Sequence, residues 1–543
     1  MAQSNKNHDA GRNILVQGTV LAVAEFISRL IGLVYRIPLQ RIAGDEGMGY
    51  YGYAYDIFSI LYILSISGVP LAVMKLISTC RAKHDSLNQR RVVIASLIWT
   101  VLVGGVIGGL TVLFASQISR LVFGAQLADN ITPSLRVLGS TIFFCCILSA
   151  FRDFFHGLGT MIPTAVSNII EQVFNAVFSV LMAWILVARG PAYAAMGGTL
   201  GTCIGALSAV LFLIVIYLMY RPRLMNRVRR DKTSRPIPYS SLMKNITLVM
   251  VPVMLGSIVS NINAIVDSSL YSNILAGQGY SADLISTLYG KYTSKFKTIA
   301  NLPLAMATAL GVAMIPDIQT AYVKGDREGV LHNISLTLRF SMIVAIPSTV
   351  GLAVLGGPVV QLLFGDTSAV VKNMMTIGST YVVLYSIQNV TTSALQGIDR
   401  MRDPLINSII TLGIHTVFVY VLLKYCDMNV FALVFGTVLL AFIMCILNHY
   451  SLKKHIGYKQ EIVKTYLIPT AASAVMGICV YIVYRVFLLW LDSNAIACII
   501  AILVGMLIYT AMLLLMHGVT EEEIYKFPKG SAIVRILKAI RLL

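Results

Sequence analysis

Long apolar stretches rich in Leu, Ile, Val, Met and Gly alternate along the chain with short polar joints. Fourteen of them, at 14–37, 50–77, 92–115, 134–156, 163–188, 196–219, 245–270, 287–318, 334–356, 371–396, 404–424, 430–449, 466–489 and 494–517, run to about 20 residues or more. A helix rising ~1.5 Å per residue needs about that length to cross ~30 Å of hydrocarbon. No period-2 alternation is sustained, which argues against an outer-membrane barrel. The pattern predicts an all-α polytopic membrane protein with 14 transmembrane helices.

The joints alternate in charge. Those before span 1, after every even span and in the tail hold 28 Lys and Arg residues, among them Arg81, Arg90, Arg91, Arg152 and the dense run from Arg221 to Lys244. The opposite joints hold four: Arg41, Arg120, Arg189 and Lys424. By the positive-inside rule both termini are cytoplasmic and the number of spans is even. Composition agrees, since 57% of residues are hydrophobic and 12% charged, against about 25% charged in soluble domains. The net charge of +18 is therefore assigned to the cytoplasmic membrane face and not to nucleic acid. The first apolar segment carries Arg29 and Arg36 and no small-residue cleavage pattern, so it is not read as a signal peptide. Eight cysteines without metal-ligand spacing are read as small packing residues.

An internal repeat emerges when the halves are aligned. Leu121-Val-Phe-Gly124 recurs as Leu362-Leu-Phe-Gly365, and His156-Gly157 with Pro163 and Asn168 recurs as Gln396-Gly397 with Pro404 and Asn407. Thr79 to Asp85 echoes Thr320 to Asp326, and Pro70 echoes Pro303. Six spans separate the copies, an even number, so the repeats share one orientation. The expected layout is two six-helix bundles, 1–220 and 245–450, related by a pseudo-twofold along the membrane normal. A basic cytoplasmic linker (221–244) joins them, helices 13 and 14 occupy 465–518, and 519–543 form a cytoplasmic tail.

Charges inside spans are the candidate chemistry, because one near the bilayer centre costs about 2.5–3.5 kcal/mol even on gentle insertion scales. Arg29 and Arg36, seven apart on span 1, share a helical face; Lys291 and Lys295 do so at the start of span 8, with Lys297 beside them. A cavity lined by these spans would carry excess positive charge and attract a polyanion. Arg36 and Lys291 also lie near enough to a boundary to snorkel. Asn263, Asp267 and Glu171 are candidate ion-binding or charge-relay residues; the seam Asn261, Asn263, Asp267 either coordinates sodium or bonds between helices. Pro70 and Pro303 each remove a helical hydrogen bond and should kink spans 2 and 8, for gating or as fixed bends. The run Tyr50, Tyr51, Tyr53, Tyr55 is placed to meet sugars or lipid headgroups, or to form an aromatic belt. No phosphate loop, dinucleotide fingerprint or metalloprotease motif occurs. A transporter without a hydrolytic site or cofactor is expected, coupled to Na+, H+ or membrane potential.

Ser28-Arg29-Leu30-Ile31-Gly32 leading to Arg36, the Pro70 region and the paired His-Gly and Gln-Gly turns resemble MurJ-type lipid II flippases. They point to the stage V sporulation protein B-like or YtgP-like branch of the multidrug/oligosaccharidyl-lipid/polysaccharide (MOP) exporter superfamily. The resemblance implies a bacterial plasma-membrane flippase whose cationic cavity engages the pyrophosphate of a lipid-linked substrate while a groove near spans 13 and 14 holds the isoprenoid tail. By position the span-1 arginine of the family matches Arg29. Its next arginine falls at Tyr35, one place before Arg36, and its span-8 arginine is replaced by Lys297 or Lys295. The implied substrate is undecaprenyl-diphosphate-linked peptidoglycan precursor. Alternatives are another polyprenyl-diphosphate-linked oligosaccharide (capsule, exopolysaccharide or spore cortex) or a cation-coupled multidrug exporter. Implied partners are this lipid-linked glycan and membrane lipids; the chain is expected to be a monomer, with cell-wall synthesis proteins as candidate associates.

Overall fold

The computed structural model describes residues 2–83, 85–231 and 234–518; the tail 519–543 and Lys232 of the linker lie outside the described residues. Compactness divides the chain into two units, Met1–Ser294 and Lys295–Leu543. The first contains α1 (Ala2–Ile66), α2 (Val69–Ala82), α3 (Ser86–Leu113), α4 (Ala115–Phe123), α5 (Ala125–Gly157), α6 (Ile162–Leu186), α7 (Pro191–Arg230), α8 (Tyr239–Asn261), α9 (Asn263–Gly277) and α10 (Ala282–Gly290). A π-helical turn, Lys291–Phe296, carries the chain across the division. The second contains α11 (Lys297–Ala313), α12 (Ile315–Val323), α13 (Arg327–Phe364), α14 (Ala369–Gly378), α15 (Thr380–Gly397), α16 (Arg402–Lys424), α17 (Phe431–Ile456), α18 (Ile468–Leu491) and α19 (Asn494–Leu515).

Among the described residues, 12 helical segments are long and apolar enough to cross a membrane. The chain is thus an all-α polytopic membrane protein. The expected span 50–77 and residues 23–37 of the expected span 14–37 fall within the single segment Val23–Ala82, and the expected span 371–396 is divided at Ser379 between α14 and α15. Gly44 (φ 70°, ψ 176°) splits α1 into two helices that meet end to end at a kink. That conformation is open almost solely to glycine, so one residue does the work of a loop.

Beyond Gly44, α1 meets α10 backbone to backbone. A Cβ on Gly49 would lie 2.0 Å from the Ser286 carbonyl oxygen, and one on Gly290 would lie 1.8 Å from that of Asp45. The Ser286 hydroxyl donates to the Glu46 carbonyl at 2.8 Å. This close crossing buries the tyrosine run: Tyr50 and Tyr53 are fully enclosed, and Tyr53 stacks on Tyr289 with ring centroids 4.1 Å apart. The aromatic belt expected there is not formed, because these rings fill helix–helix contacts inside the unit.

Pro70 also departs from expectation. It sits in the first turn of α2, where its missing N–H costs no helical bond, and the break is made upstream by Gly68 at φ 87°. A Cβ at Gly68 would approach the Met250 Cα to 2.6 Å, so α8 packs directly against the break. Pro303 lies inside α11, as a helix-interior residue.

Residues of the repeat take the same roles in each unit. Asp85 caps α3 by accepting from the Asn88 amide, and Asp326 caps α13 by accepting from the Gly329 amide, both at 2.9 Å. Gly124 closes α4 and Gly365 closes α13. Gly157 receives Ile77, and Gly397 receives Ile318, each with 2.7 Å between a built Cβ and the isoleucine. The linker is tied down: Asn88 donates to the Arg235 carbonyl (2.7 Å) and accepts from the Ile237 amide (2.8 Å), while Arg91 donates to the Ile237 carbonyl (2.8 Å). In the second unit Asn448 donates to Thr392 and accepts from Asn407, both at 2.9 Å, joining α15, α16 and α17.

Candidate functional site

A pocket of about 350 Å³ opens in the first unit between α1, α5 and α6, lined by Glu25, Ser28, Arg29, Arg152, Asn168, Glu171 and Gln172. All seven are polar or charged, within helices whose neighbouring residues are mainly apolar. Arg29 and Glu25, four apart on α1, are both exposed into it. Arg152 comes from α5 and Glu171 from α6, which form a hairpin around 158–161. Residues at similar distances from such a turn face each other, so Arg152 meets both Ser167 and Glu171. Its Nη2 lies 2.7 Å from the Glu171 carboxylate, and its Nε donates to the Ser167 hydroxyl at 3.0 Å. The pair is about one-fifth exposed on each side. The Ser28 hydroxyl is buried at the pocket wall with no hydrogen-bond partner.

Two cations and two carboxylates line this pocket, so its walls carry no excess formal charge. Arg152, expected in the joint after span 4, is instead a pocket residue within α5. It lies inside the expected span 134–156 and is nevertheless counted with the basic joint that follows. The signal available was the spacing of Arg152 and Glu171 about the His156-Gly157 turn.

The other expected site residues are distributed. Arg36, seven residues beyond Arg29, is half-buried beside Tyr35 and in electrostatic reach of Tyr51 and Tyr55. Lys291 lies 3.9 Å from Asp45, next to Gly44. Lys295 belongs to the second unit and is 3% exposed, with its ammonium 2.6 Å from Asp366. Lys291 and Lys295 thus take different carboxylate partners. Lys297 is half-buried at the start of α11. Asp267 is buried in α9, and Asn263, half-buried, begins that helix. The structure brings Arg29 and Glu171 into one pocket, and adds Arg152 and Glu25, which sequence reasoning did not place there.

Burial pushes the Asp366 carboxyl up, but hydrogen bonds from Lys295 and from Ser368 outweigh it and hold the group at about 2. The Ser368 amide donates to it at 2.7 Å.

Two family models match the chain: "Polysaccharide biosynthesis protein" over residues 14–321 and "Lipid II flippase MurJ" over residues 193–501. Lipid II flippase MurJ of Bacillus subtilis is 25% identical over 522 residues, covering 91% of this chain and 94% of that protein. Stage V sporulation protein B of the same organism is 22% identical over 534 residues, covering 96% and 100%. Among solved structures, lipid II flippase MurJ in an inward closed conformation matches with a TM-score of 0.68 at 16% identity, over 91% of this chain and 98% of that one. An inward-facing multidrug resistance MATE transporter of the MOP superfamily matches with a TM-score of 0.64 at 16% identity, over 79% and 96%. Those structures share the fold. The chain belongs to the MurJ family of lipid II flippases.

Proposed function

We propose that the protein moves lipid II, the undecaprenyl-diphosphate-linked peptidoglycan precursor, from the inner to the outer leaflet of a bacterial plasma membrane. The observation that carries this reading is Arg29: in a MurJ-family chain it is exposed in a polar pocket on a membrane-spanning segment. A pyrophosphate takes charge-assisted hydrogen bonds from guanidinium groups in place of water. Arg36 lies about 10 Å further along the same helix at ~1.5 Å per residue, as a second station for the headgroup. Lys291 and Lys297 are further cationic candidates, while Lys295, held by Asp366, acts through that pair.

The topology that goes with this reading has 14 spans, both termini cytoplasmic, and two six-span repeats joined at 221–244, with helices 13 and 14 appended. The paired roles of Asp85 and Asp326, and of Gly157 and Gly397, support the repeat. Alternating access by bundles related in this way exposes the headgroup first inside and then outside, with the isoprenoid tail in lipid throughout. Pro303 and the Gly68 break give spans 8 and 2 their bends. Inside-negative voltage favours outward movement of an anion by about 2.3 kcal/mol per charge per 100 mV. Asn263 and Asp267 remain the candidates for a coupling cation.

A second reading, transport of another polyprenyl-diphosphate-linked glycan, is favoured by the match to polysaccharide biosynthesis proteins and to stage V sporulation protein B. Purified protein in proteoliposomes, given fluorescent lipid II or a polyprenyl-diphosphate glycan with a different sugar, separates the two. Lipid II transport well above that of the second lipid is the expected result. Failure with both, alongside drug efflux, would overturn the flippase assignment.

A further inference from the structure

The pocket poses an electrostatic problem that its own residues resolve. An empty cationic site must return across the membrane field after releasing its anion, and free guanidinium groups make that step costly. Arg152 is not free: Glu171 holds it at 2.7 Å within the pocket wall. Yet the pair stays one-fifth exposed to a space of about 350 Å³, and the Ser28 hydroxyl on the same wall has its hydrogen bonding unmet. A guanidinium offers five N–H donors in a planar fork. Glu171 and Ser167 occupy Nη2 and Nε, which leaves donors on the fork for an incoming phosphoryl oxygen.

We propose that Arg152 is a second headgroup ligand and that Glu171 is its displaceable counter-ion, surrendering the guanidinium to a lipid-linked diphosphate and taking a proton in exchange. This rests on the flippase reading above. The exchange balances as follows. The salt bridge opens, diphosphate oxygens take over the Arg152 donors, and Glu171 binds one proton from water on the loading side. On release the carboxyl gives up that proton and reclaims Arg152. The groups facing Glu171 make the proton uptake chemically reasonable. Arg152 and Cys145 face it from α5, and Glu25, Arg29 and Tyr62 from α1. From α7 it meets Gly205, whose built Cβ would be 2.6 Å from the Glu171 carbonyl oxygen. Once the diphosphate has claimed the two arginines, Glu171 is left in a half-buried site beside Glu25 and an anionic ligand.

With Glu25, Arg29, Arg152 and Glu171 as its charges, the empty pocket is neutral. The loaded pocket holds two negative charges of the diphosphate diester and one added proton. The proton therefore cancels one of the negative charges that the lipid carries outward, and the return step carries none.

The test uses the full chain in nanodiscs with fluorescent lipid II, whose diphosphate diester keeps constant charge near neutrality. Wild-type affinity should fall as pH rises from 5.5 to 8.5, by up to ~tenfold per unit where the displaced carboxyl titrates. Glu171→Gln should bind at least as tightly at pH 8 and lose that dependence, and Arg152→Gln should weaken binding ~tenfold or more. Equal pH profiles in wild type and Glu171→Gln, or unchanged binding in Arg152→Gln, would overturn the proposal. Should Glu171→Gln fail to fold, the wild type alone decides: lipid II added in weakly buffered solution should draw about one proton per complex, and no uptake defeats the idea. Absence of lipid II binding by the wild type would instead defeat the flippase reading beneath it.

Discussion

Arg29 and Asp366 illustrate two fates for charge in an apolar chain. Arg29 is exposed to a pocket and holds up no packing, so Arg29→Ala should leave the amount of protein in the membrane and its thermal stability unchanged. Lipid II transport in proteoliposomes should fall ~10–100-fold, the equivalent of about 1.5–3 kcal/mol for hydrogen bonds to a charged group. Unchanged transport would remove Arg29 from the site. Asp366 is a structural charge. Its carboxyl sits at about 2 in the folded protein, below the ordinary ~3.9 of the unfolded chain. A depressed value stabilises the fold fully above about 4 and loses that contribution as pH falls towards 2. Asp366→Asn takes the carboxylate away from a buried ammonium, and breaking such a pair costs ~3–5 kcal/mol. The variant should unfold at lower temperature at pH 7, with the gap to wild type closing below pH 4; a constant gap would show that Lys295 is not stabilised by this carboxylate. The sequence displayed Arg29 because an arginine eight residues from the nearer span end is conspicuous. It hid Arg152, which is counted with the basic joint although it lies within span 134–156, and it offered no sign that Lys295 would be neutralised by a residue 71 positions away.

At the scale of elements, the closest approach in the first unit is the crossing of α10 over the second half of α1. A methyl group at Gly290 would fall 1.8 Å from the Asp45 carbonyl oxygen, a backbone atom that has no rotamer to yield. Gly290→Ala should therefore push α10 away, loosen the Ser286–Glu46 bond and the Tyr53–Tyr289 stack, and lower stability by ~1–3 kcal/mol, the usual range for overpacking. Gly413→Ala is the control: it lies within α16 with nothing near a built Cβ, and alanine there should stabilise by up to ~1 kcal/mol through helix propensity. Thermal unfolding of the two variants in detergent decides; equal shifts would mean the crossing is softer than its geometry indicates. Hydropathy located these helices but not their joints. It expected a loop between spans 1 and 2, where Gly44 alone suffices, and it credited Pro70 with a bend that Gly68 makes. Apolar periodicity reports which residues enter lipid or core, whereas φ at a single glycine is invisible to it. The tyrosine run was misread for a related reason, since aromatic density near a span end looks alike whether the rings face headgroups or a neighbouring helix.

For the whole molecule, composition and the alternation of basic joints were enough to identify a polytopic membrane protein, because both follow from the cost of putting charge in hydrocarbon. They could not balance the charges of the pocket, which depends on side chains from three helices far apart in sequence. That balance has a measurable consequence. With equal pH on both sides, the equilibrium ratio of lipid II between leaflets depends only on voltage and on net charge moved. One charge is worth about 2.3 kcal/mol per 100 mV, roughly fiftyfold in that ratio. If Glu171 carries a proton with the diphosphate, the wild type transports one negative charge fewer than lipid II itself bears, and Glu171→Gln, with no carboxyl to protonate, transports the lipid's full charge. The logarithm of the ratio, measured with fluorescent lipid II under imposed potassium diffusion potentials, should rise more steeply with voltage for the variant, by the worth of one charge. Equal slopes would mean that the pocket exchanges no proton, and that Glu171 accompanies Arg152 through the cycle as a fixed partner.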